Sequence, residues 1–130
     1  MPISTNFKLP SSVNALDLPT ETNAAVFIAF LASTDPTTGR PWCPDVVAAL
    51  PHLRAAFSDS TGPEVAFVEV GLRPEWRDPS NIYRTKWNVN SVPTLARYER
   101  ISGKPQEVAR LVEGEILDLK RLDKFIRGSI

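Results

Sequence analysis

The sequence predicts an α/β fold in which a parallel βαβ half is followed by an antiparallel hairpin half. Three observations carry that prediction. An apolar run (Ala25, Val26, Phe27, Ile28, Ala29, Phe30, Leu31) has the pattern of a strand covered on both faces. Residues 46–57 then space Val46, Leu50, Leu53 and Phe57 at four- and three-residue intervals, which puts them on one helix face. A second apolar run at residues 65–70 follows, and a strand, helix and strand in that order form a right-handed unit with a parallel pair.

The elements follow in order. Phe7, Lys8 and Leu9 suggest a short edge strand, and residues 11–16 a helical turn or two. Residues 33–41 read as a loop, broken by Asp35-Pro36 and Gly39. That loop sets Cys43 just beyond the carboxyl end of the first long strand, where open α/β sheets place their sites. Pro44 suits the first helical position, and Pro51 predicts a kink within the helix. Residues 71–79 read as an irregular loop holding Trp76; Ser80 or Asp78 would cap a helix running from Tyr83 to Trp87. Strand-like residues 95–98, a turn at Ser102-Gly103-Lys104-Pro105 and residues 107–112 make the hairpin. A last amphipathic helix carries Leu117, Leu119, Leu122, Phe125 and Ile126.

Composition narrows the function classes. The 130 residues suffice for one domain, with 1–24 the hardest part to place. Fifteen basic and fifteen acidic residues cancel, and no basic cluster is interleaved with aromatics, so neither nucleic acid nor membrane is an expected partner. The apolar runs fall far short of a transmembrane span, and the N-terminus lacks the pattern of a secretory signal. With one cysteine there is no internal disulfide, and a reducing, cytoplasmic location is the expectation.

That cysteine is the chemical focus. A helix N-terminus carries unpaired N–H groups and partial positive charge, which favour a thiolate; the charge on Asp45 acts against this. Cys43 is therefore read as a reactive thiol, against the alternative of an inert buried cysteine. His52, the only histidine, lies nine residues further along the helix, about 13.5 Å of rise and half a turn out of phase, so a Cys–His dyad is not expected. No residue cluster has the spacing of a zinc site, so no metal is expected. Trp76 and Trp87 read as packing residues; Asp35 and Arg40 as solvated loop charges before the cysteine, with flanking of a substrate entrance as the alternative; Arg73 and Lys86 as residues that could meet an acidic substrate or a glutathione carboxylate.

Trp42-Cys43-Pro44-Asp45 after the first long strand, Pro51 in the following helix, and Val92-Pro93-Thr94 before a hairpin together resemble the thioredoxin superfamily. More narrowly, with the stretch from Val70 to Asn81 resembling a family insertion, the chain is similar to the 14-kDa thioredoxin-related protein, or Clot, family from about residue 24 onward. The resemblance implies a thioredoxin-like fold: a central mixed β-sheet with helices on both faces. It also implies that Cys43 is the attacking cysteine, shielded by Trp42, that Pro93 is a cis-proline facing it, and that the Val92 backbone pairs with an extended substrate. The family's second, resolving cysteine is replaced here by Val46, and the buried acid of thioredoxins proper aligns with Ala29.

The expected function is thiol–disulfide exchange of monothiol type, on disulfide-containing or thiol-modified proteins or small disulfides. Glutathione is a candidate co-substrate, and no other cofactor is expected. The competing expectation is a redox-inactive module that binds extended peptides in the groove between Cys43 and Pro93. The chain would be a monomer or a dimer linked through Cys43.

Overall fold

The computed structural model describes residues 3–18, 25–59 and 62–128. Five strands form a mixed sheet in the order β1-β5-β2-β6-β7, comprising β1 (Ile3–Ser4), β5 (Val65–Glu69), β2 (Ala25–Leu31), β6 (Thr94–Ile101) and β7 (Lys104–Val112). β1, β5 and β2 run parallel, while β6 is antiparallel to β2 and β7 to β6. A separate two-stranded hairpin, β3 (Thr34–Asp35) and β4 (Arg40–Pro41), fills the loop before the cysteine. The helices are α1 (Pro44–Ala56), the short α2 (Arg73–Arg77) and α3 (Ile82–Thr85), and α4 (Leu119–Arg127).

β2 is central because its side chains are wanted on both faces of the sheet. Phe27 to Leu31 are all buried. Successive strand residues alternate between faces, so Phe27 and Phe30 point opposite ways. Phe27 packs on Phe57 at the end of α1 (ring centroids 5.4 Å apart) and on Phe125 of α4 (5.9 Å). Phe30 meets Tyr83 of α3 and Trp87 just beyond it, at 6.2 and 6.1 Å. One strand thus fixes a helix layer on each side, the thioredoxin-like arrangement. Burial, reinforced by the charge on Glu107 and opposed by Arg110, pushes the Tyr98 phenol well above its usual range, so it stays neutral beside Trp87.

Several local expectations need correction. The edge strand is Ile3–Ser4, not Phe7 to Leu9: Ile3 pairs with Val65 in the parallel ladder, whereas Pro10 follows Leu9 where a ladder would have to continue. Residues 11–16 hold one 3-10 turn (Val13–Ala15), after which Leu16 and Leu18 enter the core. The insertion is more regular than its composition suggests, since Pro74 opens α2 and Trp76 is buried on it. Neither Ser80 nor Asp78 caps α3. The Asn81 side chain does so by accepting from the Tyr83 N–H at 2.9 Å, while Asp78 accepts from Ser80 and is held below the usual carboxylate range by those bonds. The hairpin turn is the two-residue Ser102-Gly103, both at positive φ, so β7 begins at Lys104. Leu117 and Leu119 are largely exposed; the buried face of α4 is Leu122, Phe125 and Ile126.

Arg97 is the one buried charge among the described residues, at 8% exposed. It lies in the middle of β6, and its guanidinium donates to the carbonyls of Phe125 and Ile126, both at 3.1 Å. These are carbonyls that the end of α4 leaves unpaired, where a cation also suits the helix dipole. Its Nε donates to Glu99 at 2.6 Å, and the group sits 5.2 Å from the Phe27 ring centroid. We expect Arg97→Met to lower unfolding free energy in urea by about 2–3 kcal/mol, the scale for losing charged hydrogen bonds to buried acceptors. A loss below about 0.5 kcal/mol would mean that α4 docks through its apolar face alone.

Candidate functional site

Cys43 is the N-cap of α1, in extended backbone (φ −99°, ψ 120°), with Pro44 next at the helix start. Its carbonyl accepts from the N–H groups of Val46 and Val47, at 3.1 and 3.2 Å, so the first turn of the helix closes directly on the cysteine. The thiol is half-buried and points across to the neighbouring turn, where Sγ lies 3.8 Å from the Val92 carbonyl oxygen, within S–H···O reach. The Val92–Pro93 peptide bond is cis. Two further bonds hold that turn: Thr94 Oγ1 donates to Ser91 O at 2.7 Å, and the Glu113 N–H to Pro93 O at 2.8 Å.

Trp42 is fixed by three neighbours. Its Nε1–H donates to Gly71 O at 2.9 Å, and its backbone N–H to Ser33 O at 3.3 Å. Ser33 and Gly71 are themselves paired twice: Ser33 N–H to Gly71 O at 3.2 Å, and Gly71 N–H to Ser33 Oγ at 2.9 Å. Gly71 sits at φ +108°, where a Cβ would come within 2.8 Å of Glu75 Cβ, so glycine is required by both conformation and space. Arg73 then lies over the Trp42 ring, 4.9 Å from its centroid, and donates to the Trp42 carbonyl at 3.4 Å.

The other candidate positions separate clearly. Asp45 is exposed in the first turn of α1. Val46, one turn from Cys43, is wholly buried. Ala29 is equally buried, between Phe67 and Leu95 in the sheet. No buried carboxylate is found among the described residues. His52 lines a groove between α1 and α4 with Leu119 and Asp123, away from Cys43. Asp35 and Arg40 face each other across the β3–β4 hairpin and line a groove of about 690 Å³ together with Trp42, Pro44 and Arg73. Lys86 ends α3 and is not part of that groove. Among the described residues no three His, Cys, Asp or Glu side chains cluster as metal ligands, and no helix is long and apolar enough to cross a membrane.

Sequence reasoning missed the Ser33–Gly71–Trp42 strap and the Arg73 stack. The one available signal was Gly71 directly after a strand, a position that invites positive φ.

The model of the thioredoxin domain of thioredoxin domain-containing protein 17-like proteins matches residues 8–125, starting upstream of where the motifs alone carry the resemblance. A thioredoxin domain-containing protein of Schizosaccharomyces pombe is 42% identical over 104 residues, covering 80% of this chain and 84% of that protein. The thioredoxin-like protein Clot of Arabidopsis thaliana is 40% identical over 77 residues, covering 56% of this chain and 57% of that protein. Among solved structures, a thioredoxin of Plasmodium falciparum shares the fold with a TM-score of 0.55 at 13% identity, over 82% of this chain and 75% of that one. The chain belongs to the thioredoxin domain-containing protein 17-like, or Clot-type, family of the thioredoxin superfamily.

Proposed function

We propose that this protein carries out thiol–disulfide exchange through Cys43 alone, in a reducing, cytoplasmic setting. The observation that carries this reading is the position of the sulfur. It sits at the N-terminus of α1, half-buried, 3.8 Å from the Val92 carbonyl on the cis-proline turn, with a wholly buried Val46 one turn behind it. The Cys43 thiolate attacks one sulfur of a disulfide; the S–S bond breaks, a mixed disulfide forms, and the partner sulfur departs as a thiolate that water protonates. Val46 has no sulfur with which to attack in turn. An external thiolate, of glutathione or of the substrate itself, then attacks the substrate sulfur of the mixed disulfide and expels Cys43 as thiolate.

Among the described residues no buried carboxylate lies beside Ala29, which is consistent with this shortened cycle, since a relay of protons to a second cysteine has nothing to serve here. The same two positions, Val46 and Ala29, favour a second reading, in which turnover is lost and the groove between Trp42 and Val92-Pro93 binds extended peptides by main-chain pairing. The two differ in what they ask of Cys43.

The rate of Cys43 alkylation against pH, followed with and without oxidised glutathione, tests the exchange reading. A glutathione adduct that forms on the wild type, is absent in Cys43→Ser, and is removed by reduced glutathione is the expected result. A thiol that stays unmodified while free cysteine in the same tube reacts would overturn it, and peptide binding surviving in Cys43→Ser would then support the module.

A second prediction concerns the position one turn on. Val46→Cys should give a protein that closes an internal disulfide with Cys43 and reduces protein disulfides without added glutathione. We expect its stability in the reduced form to fall by no more than about 1.5 kcal/mol, the scale for removing a small buried volume. Failure of the two thiols to close under mild oxidation, seen by intact mass, would count against the helix geometry at Cys43.

A further inference from the structure

We propose that the groove beside Trp42 is a docking subsite for acidic side chains flanking the cysteine of a protein disulfide, with Arg73 as the residue that sets the preference. This rests on the exchange reading and names the substrate class it would favour. The groove, of about 690 Å³, begins at Trp42 and Pro44, the residues on either side of Cys43 in the chain, and runs between the β3–β4 hairpin and the start of α2. Two guanidinium groups line it, those of Arg40 and Arg73, and neither forms an ion pair among the described residues. The one carboxylate in the lining, Asp35, faces Arg40 across the hairpin and accepts the Thr37 N–H at 2.8 Å. That leaves Arg73 as the uncompensated charge.

Arg73 is also held in place. Its stacking on Trp42 and its bond to the Trp42 carbonyl keep the charge against the cysteine's immediate neighbour, rather than leaving it to sweep through solvent. A substrate strand laid along Val92 to present its sulfur to Cys43 brings its flanking side chains to one or other side of that sulfur. On the Trp42 side they enter a groove of net positive charge. Thr37 on the hairpin tip adds a hydroxyl group, which can donate to a carboxylate, while the Thr38 hydroxyl is taken up by the Arg40 backbone.

Arg73 is exposed, so solvent screens the effect and the preference is expected mainly in the rate of encounter. Three mixed-disulfide peptides that differ only in two residues flanking the cysteine (Glu, Gln or Lys) provide the test. At low ionic strength the wild type should form the Cys43 adduct about two- to fivefold faster with the Glu peptide than with the Lys peptide. The ratio should shrink towards one at 1 M salt, where the Debye length is about 3 Å. It should also collapse in Arg73→Gln and weaken in Arg73→Lys, which keeps the charge but not the planar stack that holds it.

Equal wild-type rates with all three peptides would overturn the subsite and leave the exchange reading intact. The reverse pattern is also separable: binding of the three peptides with Ser in place of their cysteine, measured on Cys43→Ser by Trp fluorescence, reads the charge preference without chemistry. A preference there with no adduct on the wild type would sink the exchange reading and keep the subsite. No preference in either measurement ends the proposal.

Discussion

The site depends on a small set of bonds between the ends of two parallel strands. Where β2 gives way at Ser33 and β5 gives way at Gly71, the two segments are tied by a bond from Ser33 N–H to Gly71 O and another from Gly71 N–H to Ser33 Oγ. The Gly71 carbonyl accepts a further bond from the Trp42 indole. Removing any one of these would leave a half-buried polar group without its partner, which costs more than the bond itself contributes. Trp42 is thereby fixed to the sheet rather than to its own loop, and Cys43, its neighbour, starts α1 from a defined point. Arg73 covers the outer face of the same ring. The sulfur is placed by the sheet, at the first residue before the helix.

Most of the scaffold was legible because its elements carry strong periods. β2, α1 and β5 announce themselves by a continuous apolar run, a three-and-four spacing and a second run, and each forms within a residue or two of its expected bounds. Elements too short to show a period were not legible. Ile3–Ser4 has two residues, β3 and β4 have two each, and α2 and α3 are a turn or so long. Asn81 was overlooked as a cap because two equally good cap residues, Asp78 and Ser80, stand just before it. Arg97 shows a different limit. A charged residue in a strand reads as solvent-facing, and only the arrival of the α4 carbonyls from far along the chain makes its burial tolerable.

The candidate site was legible in part, and for two separate reasons. Cys43 with Pro44 is readable from physics, because a cysteine followed by proline at the start of an amphipathic stretch marks a helix N-terminus. The cis bond at Val92–Pro93 is not readable that way, since an X-Pro sequence prefers trans and nothing local in the residues says otherwise; only the family resemblance pointed to it. Of the groove beside Trp42, Asp35, Arg40 and Arg73 were legible one by one, but not their meeting. The lining comes from the hairpin, the start of α1 and the start of α2, and no spacing rule links residues 40 and 73.

Val46 ties packing to mechanism. The position must serve the core, because it is wholly sequestered on the inner face of α1, and a valine serves that purpose well. A cysteine there would fill the same role a little less tightly, so the core alone does not require the sulfur's loss. The consequence falls on access instead. An enzyme with two cysteines can close its groove around the substrate once the mixed disulfide has formed, because the second sulfur attacks from within. A single-cysteine cycle needs a route by which a second thiol reaches the mixed disulfide while the substrate still occupies the Val92 side. Cys43 is only half-buried, which leaves part of the residue exposed to such an approach. Under the exchange reading, the incomplete burial of Cys43 and the valine at position 46 belong together: the first makes the second tolerable.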